Sequence, residues 1–129
     1  MTTESNPTSP PVVPIANHKP MLDYFHDGCD NYWGVARLQE LAKDLPVFDL
    51  PLAALELTGR IWADNNIIEL AHHCKRVMDA DLNVPILIDW TGGIADGRHR
   101  VIRALIEGKA TVKARRLIER PAPCHAKAN

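Results

Sequence analysis

The densest group of chemically useful side chains in the sequence is the run Asp96-Gly97-Arg98-His99-Arg100. The apolar spacing that follows this run predicts a helix beginning at the glycine. The first N–H groups of a helix have no partner within it, and the helix dipole makes that end partly positive. Backbone N–H groups and arginine donors suit phosphate oxygens, because their hydrogen bonds are directional and charge-assisted. The run therefore predicts an anion-binding helix N-terminus.

Within this run the sequence suggests a role for each side chain. Asp96 and His99 can serve as acid, base or Mg²⁺ ligand, since one carboxylate commonly holds that ion beside phosphates through water. The alternative is that Asp96 only caps the helix while His99 contacts the phosphate. A further alternative treats the arginines as solvated surface charges. For Arg103, four residues before Glu107, a helix-surface ion pair is the preferred interpretation.

Other polar groups in the sequence are weaker candidates. Adjacent His72 and His73 would point about 100° apart on a helix and could not easily bind one metal ion. The oxygen-rich stretch 27–31 lacks the EF-hand spacing and is predicted to be a turn. The three tryptophans are assigned to core or rim positions, with Trp90 considered as a neighbour of a nucleotide base. No residue is assigned as a metal ligand.

The elements that must position the run follow from the hydrophobic pattern. Apolar residues recur at helical spacing over 33–45 and over 65–78, where Asp64 or Asn65 can cap the first turn. A third helix is predicted over 97–107, with Gly108 as its C-terminal glycine. Strands are predicted over 47–50, 84–89, 94–95 and 111–117. We expect an α+β domain with a small mixed sheet flanked by helices.

Length and charge restrict the class of protein. The chain has 129 residues, enough for one domain, and its net charge of −1 gives no general case for a nucleic-acid or membrane binder. The charge is nevertheless uneven, because residues 96–120 carry +5 and the remainder −6. Eight basic side chains lie in that segment: Arg98, Arg100, Arg103, Lys109, Lys113, Arg115, Arg116 and Arg120. Such asymmetry can concentrate anions at one region of a surface.

Composition also divides the chain into a core and two tails. Residues 1–20 are rich in proline and predict an extended, disordered tail, 21–118 form the domain, and 119–129 form a C-terminal tail. Three widely spaced cysteines without a CxxC pair argue against a disulfide framework and favour a reducing, cytoplasmic compartment. No apolar run is long enough to cross a membrane, and the N-terminus lacks the pattern of a secretory signal.

The stretch VPILIDWTGGIADGRHRVIRALIEGKATVKARRL, residues 84–117, resembles the central box of the ParB/sulfiredoxin superfamily. The shared features are a Pro-Ile strand (Pro85-Ile86), a Gly-x-x-Arg box (97–100), Ala104, Gly108 and a closing strand. The likeness extends over about residues 46–118 and implies a single ParB/sulfiredoxin-like domain. In that superfamily the box generally binds nucleotide phosphates. The resemblance thus implies that Gly97, Arg98, His99 and Arg100 bind a nucleotide such as ATP or CTP.

Two departures from the superfamily narrow this expectation. Arg98 stands where sulfiredoxins carry their catalytic cysteine, so reduction of a sulfinic acid is not expected. ParB partition proteins continue into a helix-turn-helix domain, which does not follow here, so ParB-type centromere binding is not expected either. Asp96, His99 and Arg100 are most similar to a branch of small-molecule kinases and nucleases with an Asp-Gly-x-His-Arg-like box.

The leading prediction is a protein that binds a nucleotide or a phosphorylated small molecule. If it is an enzyme, it catalyses Mg²⁺-dependent NTP hydrolysis or phosphoryl transfer, with Asp96 and His99 as catalytic residues. The alternative is a DNA-associated regulator of plasmid or phage type that uses the basic surface of residues 98–120. For the leading prediction, only weak DNA binding is expected. A third interpretation is an interaction module whose nucleotide site is vestigial. The sequence leaves the oligomeric state open.

Overall fold

A computed structural model of the chain describes residues 9–15, 23–26, 31–62 and 65–124. This part of the chain is a mixed α+β domain with three α-helices and two sheets, as the sequence predicts. The helices are α1 (Val35–Ala42), α2 (Ile67–Met78) and α3 (Arg98–Ile106). The strands are β1 (Tyr24–His26), β2 (Tyr32–Gly34), β3 (Phe48–Pro51), β4 (Ile86–Ile88), β5 (Ile94–Asp96) and β6 (Thr111–Arg116). A single 3-10 turn, Leu52–Ala54, follows β3.

The larger sheet has the strand order β3-β6-β4-β5. Strand β6 is antiparallel to β3 and parallel to β4, and β5 returns antiparallel to β4, so the sheet is mixed as expected. The parallel pair needs a long connection, which β5 and α3 supply. The four predicted strands agree with the observed strands to within two residues at each end. Strand β5, which ends at Asp96, forms one edge of this sheet.

Strand β4 is buried on both faces, which explains its uninterrupted apolar sequence. Ile86 and Ile88 pack with Val101 and Ala104 of α3 on one side of the sheet. Leu87 packs on the other side with Trp33, in a cluster that also contains Leu38 and Ala42 of α1, Ala95 and Leu117. The sheet therefore separates α3 from α1, and the end of β5 lies between them in this layered arrangement.

The turn from β4 to β5 is organised by a buried carboxylate. Asp89 is only 3% exposed. Its Oδ1 accepts hydrogen bonds from Thr91 N at 2.7 Å, Thr91 Oγ1 at 2.6 Å and Gly93 N at 3.0 Å. These bonds compensate the desolvation of the carboxylate. Gly92, at φ +93°, supplies the left-handed residue of the turn.

Two glycines set the limits of α3. Gly97, at φ +112°, precedes the first helical residue, and a Cβ there would lie 2.5 Å from Ile86 Cγ2. At the other end Gly108 has φ +70°. Its N–H donates to the Leu105 carbonyl at 3.1 Å, and Lys109 N–H donates to the Ala104 carbonyl at 2.9 Å, the pair of bonds of a Schellman cap. The predicted C-terminal glycine is confirmed.

The first helix is shorter than predicted. The expected helix over 33–45 begins at Val35 and ends at Ala42, because Trp33 lies in β2 and pairs with Phe25 of β1. This hairpin was not predicted, since strands of three residues are too short to show a periodicity. The turn predicted over 27–31 lies, apart from Asn31, outside the described residues.

The second helix differs in its packing. Its apolar residues lie at helical spacing as predicted, but Val77 is its only buried residue, while Ile67 is 87% and Met78 73% exposed. Helix α2 lies at the surface, where it packs beside α3. Its cap is Asn66, one residue beyond the predicted Asn65, and the Asn66 side chain accepts a hydrogen bond from Glu69 N at 2.9 Å.

The described parts of the predicted tails differ from one another. Residues 9–15 contain no helix or strand, and the rest of 1–20 lies outside the described residues. Residues 119–124 also form no helix or strand, but they are hydrogen-bonded to the domain. Trp33 Nε1 donates to the Pro121 carbonyl at 2.9 Å, and Cys124 N–H donates to the Tyr32 carbonyl at 2.7 Å. No helix in the described ranges is long and apolar enough to cross a membrane.

Candidate anion-binding cleft

A polar cleft of about 230 Å³ opens at the N-terminus of α3. It brings together Asp96, Gly97, Arg98 and His99 of the predicted run with residues from four other segments. Those additional residues are Asp23, Tyr24, Val35, Trp62, His73 and Arg76. Pockets for drug-sized ligands usually enclose roughly 300–1,000 Å³, so this cleft suits a phosphate group or a short phosphate chain better than an entire nucleotide.

Two guanidinium groups line the cleft without a hydrogen bond to a described residue. Arg76 of α2 and Arg98 of α3 are half-buried, and neither side chain donates a hydrogen bond to a described residue. Burial lowers the pKa of Arg76. The neighbouring carboxylates of Asp23 and Asp96 raise it, and the charge of Arg100 lowers it. An arginine stays charged in any protein environment, so burial without donors in use is unfavourable unless an anion approaches. Arg76 and Arg98 are therefore the principal candidates for ligand contact.

Three aromatic rings line one side of the cleft. Trp62 lies nearly parallel over His73, with 3.7 Å between ring centroids and 12° between planes. The His73 and His99 rings face each other edge to edge, with 5.1 Å between centroids and 2.8 Å between His73 Nδ1 and His99 Nε2. At that distance one nitrogen donates and the other accepts. Burial lowers the pKa of His73, as do His72 and Arg76, while Glu69 acts in the opposite direction.

Asp96 is held by side chains rather than by the helix that follows it. Its Oδ2 accepts hydrogen bonds from Gln39 Nε2 at 2.7 Å and from Arg100 Nη2 at 3.4 Å. The residue at the cap position of α3 is Gly97, which makes no side-chain cap bond. The alternative in which Asp96 only caps the helix is therefore wrong. Asp96 lines the cleft with a fixed orientation, and its catalytic role stays a prediction.

Arg100 lies at the edge of this region but is engaged by the fold. Its Nη1 donates to the carbonyl of Pro85 at 2.5 Å and to that of Val84 at 3.2 Å, and its Nη2 reaches Asp96. These contacts tie α3 to the segment entering β4. The guanidinium does not line the cleft. The phosphate contact predicted for Arg100 stays a prediction. To reach a phosphate, the guanidinium would have to break some of these hydrogen bonds.

Arg103 also serves the structure. It forms the expected pair with Glu107, Nε to Oε2 at 2.5 Å, and its Nη1 donates to the carbonyls of Val77 and Met78. Those carbonyls belong to the last turn of α2, where a cation is favoured by the helix dipole. The ion-pair interpretation of Arg103 is confirmed, and the side chain also joins α2 to α3.

Among the described residues, Asp23 and Asp96 are the carboxylates that line the cleft, and Asp96 already accepts two hydrogen bonds. In the described part of the chain, no three or more His, Cys, Asp or Glu residues are grouped to hold a metal ion. Mg²⁺ in nucleotide sites is often bound by few protein ligands and by the phosphates themselves.

Sequence reasoning missed the half of the site that α2 and the preceding segment provide. His73 and Arg76 are three residues apart and share one face of α2, a spacing that could have suggested a common ligand. Trp62 lies in a segment without periodicity, so nothing in the sequence distinguished it from the other tryptophans. Trp90, considered beside a base, instead packs against Phe25 and Trp33.

Comparisons with protein-family models, with curated proteins and with solved structures gave no match for this chain.

Proposed function

We propose that the chain is a nucleotide-binding protein of the ParB/sulfiredoxin-like type whose cleft at the N-terminus of α3 holds the phosphate groups. One observation carries the proposal: Arg76 and Arg98 lie half-buried in the same cleft with their hydrogen-bond donors unused by described residues. An anion between them would satisfy both charges and would also face the first N–H groups of α3. The resemblance of residues 84–117 to the phosphate-binding box supports the same ligand class.

The size of the cleft indicates how a nucleotide would lie. The phosphates would occupy the space among Arg76, Arg98 and the start of α3. The sugar and base would extend outside it, because the volume of about 230 Å³ is smaller than that of usual whole-ligand pockets, roughly 300–1,000 Å³. Trp62 lines the cleft, and an indole offers a flat apolar surface to a base.

For the reaction we propose hydrolysis of the nucleotide or transfer of its phosphoryl group. His99 lines the cleft, and its protonated ring can donate a proton to the group that leaves when a water or hydroxyl group attacks the phosphate. Asp96, fixed by Gln39 and Arg100, is suited to orient that nucleophile. Both remain the catalytic residues proposed from the sequence. Mg²⁺ would accompany the phosphates of the nucleotide.

Calorimetric titration with ATP, CTP, GTP and pyrophosphate, with and without Mg²⁺, tests this proposal. Arg98→Ala and Arg76→Ala should each weaken binding by about 1.5–3 kcal/mol, the range for hydrogen bonds to charged groups. Arg116→Ala is the matched control, because Arg116 is exposed on β6 and outside the cleft.

Equal affinities in wild type and both cleft variants would refute the site. Phosphate release is measured on the same samples. Nucleotide binding without phosphate release would refute hydrolysis but not nucleotide binding. Phosphoryl transfer would then be tested by adding a hydroxyl compound as acceptor.

A further inference from the structure

His73 and His99 share a hydrogen bond whose protonation is not needed for the phosphate site alone. His73 Nδ1 and His99 Nε2 face each other at 2.8 Å, so a single hydrogen lies between them whichever nitrogen carries it. Adding one proton to an outer nitrogen keeps this hydrogen bond and makes it charge-assisted. Adding a second proton to the facing nitrogens would place two N–H groups opposite each other and break the contact. The intact pair therefore holds at most one positive charge.

The surroundings of the pair disfavour that charge when no anion is bound. On α2 the neighbouring groups are Glu69, His72 and Arg76; from the other elements they are Arg98 of α3, Asp96 of β5, and Asp23 and Tyr24. The surrounding protein reduces the hydration of a protonated His73, and His72 and Arg76 repel it, while Glu69 attracts it. The lowered pKa of His73 is consistent with this balance.

We propose that His73 and His99 act as one proton-sharing pair that takes up a proton when an anion binds in the cleft. The inference rests on the proposed anion site and adds its dependence on pH. An anion neutralises the field of the two arginines, so the cost of a charged pair falls. The charged pair then attracts the anion in return, because linkage between proton and ligand is reciprocal. Binding should therefore strengthen as pH falls through the range of histidine titration.

Sulfate is the probe, since its charge is constant over the range tested. Its affinity, measured by calorimetry from about pH 8 to about pH 6, should rise by up to about tenfold per pH unit, the limit for uptake of one proton. Repeating the titration in buffers with different heats of ionisation measures the proton uptake directly. The double variant His73→Asn/His99→Asn should bind sulfate with little dependence on pH.

The matched control is His26→Asn, the same chemical change on β1, where the His26 ring is stacked with Tyr32. His26 does not line the cleft, so the variant should keep the pH dependence of the wild type. Melting curves of all variants at each pH show whether they are folded under the conditions of titration. The wild type also gives a test without any substitution. In a nitrogen-resolved NMR titration without anion, the two rings should respond together, with no more than one proton taken up by the pair in this range.

Each outcome separates the two proposals. Sulfate binding that is equally strong at high and low pH would overturn the histidine proposal and leave the anion site in place. The same would follow if the double variant kept the full pH dependence, or if the two rings titrated independently. Failure of sulfate and of pyrophosphate to bind at any pH would refute the anion site itself, and the linked proton uptake with it.

Discussion

Five arginines in the described part of the chain fall into two groups according to what their guanidinium groups contact. Arg100, Arg103 and Arg115 donate to backbone carbonyls, the last to Leu45 at 3.1 Å. Arg76 and Arg98 line the cleft without such bonds to described residues. A cation that satisfies buried carbonyls contributes to stability, whereas a cation without donors in use is available to a ligand. Identical residue types therefore have different roles.

This division predicts opposite effects for two arginines that are two positions apart. Arg100→Ala removes donors from the carbonyls of Val84 and Pro85 and should lower the free energy of unfolding by about 1–3 kcal/mol. Arg98→Ala should change that free energy by less than about 0.5 kcal/mol but weaken anion binding. Urea unfolding and sulfate titration of both variants provide the comparison. If Arg100→Ala unfolds like the wild type and loses binding instead, Arg100 is a phosphate ligand, as the sequence suggested.

At the scale of elements, the contact between the start of α3 and strand β4 determines where the cleft forms. Gly97 combines a positive φ with a backbone that approaches Ile86 too closely for any side chain. Gly108 at the other end of α3 also has a positive φ, but a Cβ there would meet nothing within 4 Å. Substitutions at the two glycines therefore distinguish the free-energy cost of a positive φ from the cost of the close contact with Ile86.

We expect Gly108→Ala to lower the free energy of unfolding by about 1–2 kcal/mol, the cost of a left-handed conformation for an L-residue. Gly97→Ala should lower it by about 1–3 kcal/mol more, because the new methyl group must also displace Ile86 or the helix. Chemical denaturation of both variants measures the difference. Equal losses would show that α3 moves away from β4 at little cost, so the cleft would not depend on this close approach.

The whole molecule combines a net charge of −1 with a basic segment over residues 96–120. Much of that segment is engaged internally, since Arg100, Arg103 and Arg115 bind carbonyls and Arg120 lies over the Trp33 ring at 5.0 Å. A DNA-binding surface needs many cations free to contact phosphates along one face. This arrangement favours a local anion site over an extended nucleic-acid interface.

Duplex DNA should therefore bind only weakly and without sequence preference, with a dissociation constant of roughly 10⁻⁴–10⁻⁶ M at physiological salt. Lys113→Ala/Arg116→Ala tests the exposed part of β6 without removing the Arg115 contact. This double variant should lower DNA affinity further and leave nucleotide binding unchanged. Affinity is measured across a salt series, where each neutralised phosphate contributes a log–log slope of about −0.9. Nanomolar, sequence-selective binding that is lost in the double variant would favour the DNA regulator instead.

The sequence predicted the sheet and α3 well because their signals are local. The apolar run of β4, the glycine after α3 and the alternation of β6 each depend on a few neighbouring residues. The position of α2 could not be predicted in this way, since Ile67 and Met78 fit a core-facing stripe but are exposed. Only part of the candidate cleft could be predicted, because local sequence signals do not show which distant segments meet. Arg98 and His99 belong to one continuous motif, whereas Arg76 and Trp62 reach it only through the tertiary fold.

The surface position of α2 gives the cleft two walls of unequal stability. The wall carrying Arg98 belongs to α3, which is anchored by Val101 and Ala104 in the core. The wall carrying Arg76 belongs to a helix whose single buried residue is Val77. Local opening of such a helix costs less free energy than unfolding of the whole domain. A ligand that bridges both arginines binds only the closed form, so part of its binding energy becomes folding energy of α2. The affinity of the proposed anion site would thus depend on the stability of the helix that carries Arg76.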